Sequence, residues 1–241
     1  MAANDNRRRK KIEAQRAKRK DKQRAIARVE SSSKIARVLQ AQRWTLFDTR
    51  ISDRLIEKGI ANAFIARRGP HNQVVGVVFL VDTFCLGVKD VSVFYGPETR
   101  WHEIVQQQIE NGMRLDLIAP EALRKLVEGA VAYAKLFGIA PHRDWLQASP
   151  IFGDIDASKS LVEFTYGQDG KPSYVTGPYD RPERVRQILQ ALTQHAGTGN
   201  FHFTTHYSPD ELDCELLEED LDDDDDDDEM RIEALESRQA G

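Results

Sequence analysis

The sequence contains little cysteine and no long apolar run. Its 241 residues include two cysteines, Cys85 and Cys214, which are too few for a disulfide framework and favour a reducing compartment. No stretch approaches the roughly 18 consecutive apolar residues of a membrane-spanning helix. The charged N-terminus lacks the apolar segment of a secretory signal. Together these absences predict a cytoplasmic protein without a membrane partner.

Familiar signatures of catalysis and cofactor binding are also missing. The chain has no Rossmann glycine fingerprint, GxSxG elbow, HExxH or CxxC pair, and its turn GQDGKP lacks the phosphate-loop spacing. His202 and His206 have the spacing of a zinc pair on a helix. The residues between them, FTT, instead favour extended chain, in which the two histidines lie about 13 Å apart. We therefore expect no cofactor and no metal, although other kinds of enzyme stay open.

Charge is abundant, and its two signs are segregated. Residues 1–43 contain 15 Lys or Arg and 4 Asp or Glu, a net charge of +11. Residues 208–241 contain 2 basic and 17 acidic residues, a net of −15, while residues 44–207 contain 17 and 18, a net of −1. This distribution predicts a basic arm (1–43), helical or disordered, then a globular domain (44–207) and a disordered acidic tail (208–241).

The basic arm is the clearest indication of a partner. Dense lysines and arginines neutralise phosphates and release counterions, which gives salt-dependent and sequence-independent affinity for nucleic acid. We therefore expect a non-enzymatic module that associates with nucleic acid or ribonucleoprotein. Its candidate binding residues are Arg7, Arg8, Arg9, Lys10, Lys11, Arg16, Lys18, Arg19 and Lys20. The alternatives are a solvated arm, an intramolecular contact between arm and acidic tail, and a protein-interaction module that uses both charged ends for docking.

Hydrophobic periodicity and turn residues predict an α+β fold between the charged ends. We expect a hairpin-based, antiparallel sheet with helices packed on one face. The predicted strands cover residues 60–67, 73–81, 86–95, 160–166 and 172–176, the last two joined by the turn QDGK. The predicted helices cover residues 34–43, 48–57, 98–111, 120–138 and 181–195.

The most apolar stretch, VVGVVFLV at residues 74–81, leads directly into polar residues. An acid at the end of a buried strand is either a functional group or the carboxylate that closes a turn. A second polar group, PHRD at residues 141–144, follows a long helix. If the two groups converge in one pocket, they predict a hydrolase or nuclease with catalytic residues Asp82, Lys89, Asp90, His142 and Asp144.

Cys85 lies within the same stretch and has two interpretations. As a nucleophile it would need a lowered thiol pKa and a histidine brought close by folding. Its apolar neighbours Phe84 and Leu86 indicate a buried core residue instead.

Three strings resemble an uncharacterised group of bacterial proteins: FLVDTFCLGVKD, FGIAPHRDW and VEFTYGQDGKPSYVTGP. The resemblance covers roughly residues 50–195 and leaves both charged ends outside. It implies a single domain and assigns no catalytic role to any residue, since the group has no established activity.

Overall fold

A computed structural model describes residues 36–53 and 55–207, and the chain divides after Lys171 into two compact units. The predictions for the arm before residue 36 and for the acidic tail lie outside the described residues. The elements of the first unit are α1 (36–41), β1 (Thr45–Ser52), α2 (Leu55–Lys58), β2 (Ile60–Arg68), β3 (Gln73–Asp82), β4 (Gly87–Pro97), α3 (Glu98–Glu110), β5 (Leu115–Leu117), α4 (Pro120–Leu136) and α5 (Trp145–Ala148).

The first unit is built on a five-stranded antiparallel sheet with the strand order β4-β3-β2-β1-β5. Strands β2, β3 and β4 form a meander in which Ile65 lies opposite Val77 and Val77 opposite Val93. The predicted α+β class and antiparallel sheet are confirmed. No helix in the described part of the chain combines the length and the apolar character needed to cross a membrane.

The two long helices of this unit cover opposite faces of the sheet. Successive side chains of a strand point to opposite faces. Ile65 and its neighbours in register pack with Leu123 and Val127 of α4, whereas Phe64 packs with Trp101 of α3. The prediction that the helices share one face is therefore wrong. The reason is that the central strands are apolar on both sides, so each face needs its own cover.

The segment predicted as a helix over residues 48–57 is mostly strand β1, and only Leu55–Lys58 is helical. Two small polar side chains hold β1 in the sheet. The hydroxyl of Thr49 donates to the carbonyl of Ile118 over 2.7 Å, and the N–H of Asn62 donates to the Ser52 hydroxyl over 2.9 Å. Ile118 is distant in sequence, and β1 pairs with both β2 and β5, so tertiary pairing overrides the local helical pattern.

The second unit contains β6 (Ser173–Val175), α6 (Pro182–Ala196) and β7 (His202–Thr204). The predicted hairpin of residues 160–166 with 172–176 does not form, because β6 pairs in parallel with β7 and residues 160–166 contain no strand. The turn itself is present in the first unit. Gln168 bridges to Lys171, and Asp169 and Gly170 take positive φ angles of 53° and 76°.

A buried arginine ties the end of β2 to two distant segments. Arg67 is 2 % exposed, and its guanidinium donates to the carbonyls of Ile151 (2.7 Å), Trp44 (2.7 Å) and Phe152 (2.6 Å). A further bond of 3.1 Å to the exposed carboxylate of Asp154 lowers the pKa of that group. A buried charge needs this many partners to offset its loss of hydration. Arg67 thus stabilises the chain before β1 and the loop after α5 together.

Replacing Arg67 should therefore destabilise the fold strongly. Arg67→Met keeps the side-chain length but leaves three carbonyls without their donor, and we expect a loss of about 3 kcal/mol or more in the free energy of unfolding. Urea denaturation, monitored by circular dichroism, measures this loss in the free energy of unfolding. The matched control is Arg68→Met, because the Arg68 side chain is partly exposed, with an ion pair to Glu98 and a ring contact to Phe47, and its replacement should cost less than about 1 kcal/mol. Equal losses in both variants would contradict the role of Arg67.

Candidate functional site

The polar residues after β3 form a buried turn organised by Asp82. One oxygen of its carboxylate accepts hydrogen bonds from the backbone N–H groups of Phe84 (2.9 Å) and Cys85 (3.0 Å). Aspartate favours this arrangement because its short side chain reaches the backbone two and three residues further on. Asp82 is 5 % exposed. Its carboxylate therefore closes the β3–β4 connection.

Three neighbouring segments enclose this turn. The N–H and hydroxyl of Thr83 both donate to the carbonyl of Gly59, over 2.7 and 3.0 Å, and the N–H of Gly167 donates to the carbonyl of Thr83 over 2.9 Å. On the third side, Gly87 (φ +70°) packs against α4, where an added Cβ would lie 3.0 Å from the carbonyl oxygen of Ala130. Only glycine combines this φ with such a close approach. The turn is consequently fixed and shielded from water.

Lys89 reaches the turn through a β-bulge. Leu80 pairs with Asp90, but Val81 pairs with Val88, which leaves Lys89 as the extra residue in β4. A bulge bends its strand and redirects the side chain of the inserted residue. The irregularity of β4 therefore lies at Lys89.

The electrostatics of this turn favour uncharged side chains. Burial raises the pKa of Asp82, against the opposing charge of Lys89 and the backbone hydrogen bonds. Burial and the nearby Asp82 carboxylate raise the pKa of Cys85 to about 12, although Lys89 acts in the opposite direction. A nucleophilic cysteine must be a thiolate. Cys85, which is fully buried, is therefore a core thiol, as its apolar neighbours indicated.

The second polar group, at residues 141–144, lies beside the edge strand β4. The N–H of His142 donates to the carbonyl of Val88 over 2.8 Å. The ring Nδ1 of His142 accepts the N–H of Asp144 at 3.3 Å, and its carbonyl accepts the N–H of Trp145 at 2.9 Å. His142 thus satisfies local backbone groups at the start of α5.

The strand positions of Asp82 and Asp90 and the packing of Trp145 involve different faces of the sheet. Asp90 lies opposite Leu80, two residues before Asp82, so Asp82 and Asp90 start on the face that α3 covers. Trp145, which follows Asp144, packs edge-to-face on Phe79 with ring centroids 5.5 Å apart. Phe79 belongs to the core cluster under α4.

Lys89 thus lies close enough to Asp82 for its charge to act on the carboxyl group. Among the described residues, no hydrogen bond or ion pair joins Asp82 or Lys89 to His142 or Asp144. The same part of the chain holds no group of three or more His, Cys, Asp or Glu side chains suited to a metal ion. The hydrolase or nuclease hypothesis stays a prediction.

Sequence reasoning did not single out a surface depression of about 370 Å³ between α4 and the loop after α5. Arg124 and Glu128 line one side of it, and Asp154 and Asp156 the other. The guanidinium of Arg124 already donates to the carbonyl of Ile155 over 2.5 Å and to Glu128 over 2.8 Å. The polar groups that line the depression therefore hold the loop in place. No local sequence motif indicates that these residues lie close together in the fold.

Burial of Cys85 predicts that its thiol is unreactive in the folded protein. In a Cys214→Ser background, Cys85 is the remaining thiol. We expect no reaction with a disulfide reagent such as DTNB in native buffer up to mildly alkaline pH, and complete reaction in urea, monitored by absorbance. An added Ser92→Cys, at an exposed position of β4, serves as the positive control. Rapid native labelling of Cys85 would contradict its burial and raised pKa.

The raised pKa of Asp82 predicts a pH-dependent effect of neutralising it. Ionisation of this carboxyl costs native-state stability, so stability falls as pH rises through the raised pKa. Asparagine keeps an oxygen acceptor but does not ionise. We expect the unfolding free energy of Asp82→Asn, relative to the unaltered chain, to increase between about pH 3 and about pH 7. Urea denaturation at each pH measures the difference.

Asp82→Ala is the companion variant, because it removes the acceptor as well as the charge. It should be less stable than Asp82→Asn at both pH values by about 1–3 kcal/mol, the cost of leaving buried donors unpaired. If the advantage of the asparagine variant instead shrinks as pH rises, the charge of Lys89 outweighs burial and the assignment is wrong.

Comparisons of the whole chain with known proteins give no relative. No family model, curated protein or solved structure matches this chain. The resemblance to an uncharacterised bacterial group stays an expectation, and any functional argument has to rest on this chain's own charges and contacts.

Proposed function

We propose that the protein is a non-enzymatic module that associates with nucleic acid or ribonucleoprotein through its basic segment, residues 1–35. The observation that carries the proposal is charge density. This segment contains 13 Lys or Arg and 4 Asp or Glu, a net charge of +9. Such a segment gains affinity for any phosphate backbone through counterion release. Asp82, the buried acid among the catalytic candidates, already has a structural role, because its carboxylate closes the β3–β4 turn.

The point at which this segment joins the fold supports the proposal. Val38 and Ala41 of α1 are both 0 % exposed and belong to the main core, and the guanidinium of Arg37 lies 4.4 Å above the ring of Tyr95. Residues 36–41 are therefore part of the folded unit, while Leu39 is 53 % exposed. The basic residues before position 36 are attached directly to a firmly packed helix.

Further arginines lie at the same end of the sheet. Thr45, the first residue of β1, pairs with Arg68, and the Arg68 guanidinium lies 5.0 Å from the ring of Phe47. Arg43 is exposed between α1 and β1. A phosphate backbone bound by residues 1–35 would meet these cations next, although Glu98 partly balances Arg68.

The proposal predicts that removing residues 1–35 abolishes binding. Fluorescence anisotropy with mixed-sequence single-stranded RNA and DNA at low salt measures the affinity. For the full chain we expect the logarithm of the affinity to fall linearly with that of the salt concentration, by about 0.7 per neutralised phosphate. The deletion ends before α1, because a longer one would remove Val38 and Ala41 from the core and confuse unfolding with loss of binding.

Charge-matched variants sharpen this test. Replacing the five basic residues at positions 7–11 by glutamine should weaken binding and reduce the salt slope, whereas replacing aspartates 222–226 by asparagine should leave binding intact or strengthen it. Full-length protein that fails to bind at low salt would refute the proposal, as would a deletion that binds equally well. Partners recovered from a pull-down after nuclease treatment would favour the protein-interaction alternative.

A further inference from the structure

Within the described part of the chain, the outer edge of β4 has few backbone partners. On one side β4 pairs with β3 along its whole span. On the other side, among the described residues, the one backbone hydrogen bond to β4 comes from the N–H of His142 to the carbonyl of Val88, at the start of the strand. Residues 91–96 have no backbone partner there within the described part of the chain.

The hydrogen-bonding direction along this edge follows from one contact. The N–H of Val91 donates to the side chain of Asp90 over 2.8 Å, so it points away from β3. Backbone groups in an antiparallel strand alternate in direction from residue to residue. The N–H and C=O groups of Val93 and Tyr95 therefore also face outward, together with the C=O of Val91.

The residues along this edge lack the usual protection. The string VSVFYG at 91–96 contains no charge and no proline and is rich in residues that favour strands. The opposite edge of the sheet differs, because β5 has three residues and its Asp116 is paired with Arg114 over 3.3 Å. Short, charged edges resist pairing with another chain, and long, uncharged edges promote it.

We propose that β4 pairs in antiparallel fashion with β4 of a second copy, about a two-fold axis at Val93, so that two five-stranded sheets become one continuous sheet. In this register Val93 exchanges both hydrogen bonds with Val93 of the second copy. The N–H of Tyr95 donates to the carbonyl of Val91 across the axis. The N–H of Val91 keeps its bond to Asp90, so this register leaves that contact in place.

Side chains fit this register as well. Val91, Val93 and Tyr95 all pack on the α4 side of the sheet, and a two-fold axis perpendicular to the sheet joins these rows from the two copies. Cross-strand pairs of aromatic and β-branched side chains stabilise sheets.

Charges at the ends of the strand favour the antiparallel direction. The two-fold axis brings Lys89 of each copy opposite Pro97 of the other and beside Glu98, while Asp90 lies opposite Gly96. A parallel alignment would instead set Lys89 against Lys89. The charges at the ends of β4 are therefore self-complementary only in the antiparallel direction. This favours a second copy of the chain, rather than an unrelated extended peptide, as the partner of this edge.

Sedimentation velocity of the full chain, from micromolar to near-millimolar concentration, tests whether a second copy binds. High salt suppresses association between the oppositely charged ends of different molecules. We expect a monomer–dimer equilibrium that persists in high salt. A protein that stays monomeric throughout, or dimerises only at low salt, overturns the proposal.

Cross-linking tests the register. In the Cys214→Ser background, Val93→Cys sets two thiols directly across the axis, with Cα atoms about 5.5 Å apart, within the range that a disulfide spans. We expect a covalent dimer after mild oxidation. The matched control is Leu117→Cys, an exposed residue on the opposite edge strand β5, which should stay monomeric. Equal cross-linking of both variants, or none at Val93→Cys, overturns the assignment to β4.

A third variant separates pairing from folding. Val93→Pro removes the outward N–H, and proline is tolerated on an edge strand at such a position. We expect loss of the dimer with an unchanged circular dichroism spectrum. A dimer that survives this change would assign the interface elsewhere. If Val93→Pro loses both the dimer and the fold, the cross-linking experiment decides, because Val93→Cys changes the side-chain volume little.

Discussion

The architecture depends on the burial of the central strands on both of their faces. Val75 and Val77 on one side of β3, and Val74 on the other, are fully excluded from water. A strand of this kind needs a cover above and below. Helix α4 and helix α3 supply the two covers, and Gly76 allows the ring of Trp101 to approach the sheet closely.

The same enclosure gives the interior polar groups a structural role. Asp82 follows the most buried strand and is a catalytic candidate from the sequence, and in the structure its carboxylate accepts hydrogen bonds from the backbone of the next turn. Burial raises the pKa values of both Asp82 and Cys85, which disfavours the charged forms that most acid–base and nucleophilic chemistry requires. The proposed contacts with other molecules instead involve the basic segment, residues 1–35, and the outer edge of β4.

Local pattern predicted a large part of the fold. The meander β2–β3–β4 and helices α3, α4 and α6 were each predicted from apolar periodicity, glycine and proline within their own stretches. Strand β1 was mistaken for a helix because Thr49 is held by Ile118 and β1 pairs with the distant β5, which no local window contains. The predicted hairpin after residue 160 failed for the same reason, since β6 pairs with the distant β7.

The sequence by itself determined the segregation of charge and the order of most elements, because both depend on residues that are neighbours in the chain. It also placed polar residues directly after a buried strand. Only the tertiary structure decided that α3 and α4 take opposite faces, and that β4 rather than β2 or β3 lies at an edge of the sheet. Those outcomes depend on contacts between residues far apart in sequence, and periodicity within a segment carries no information about them.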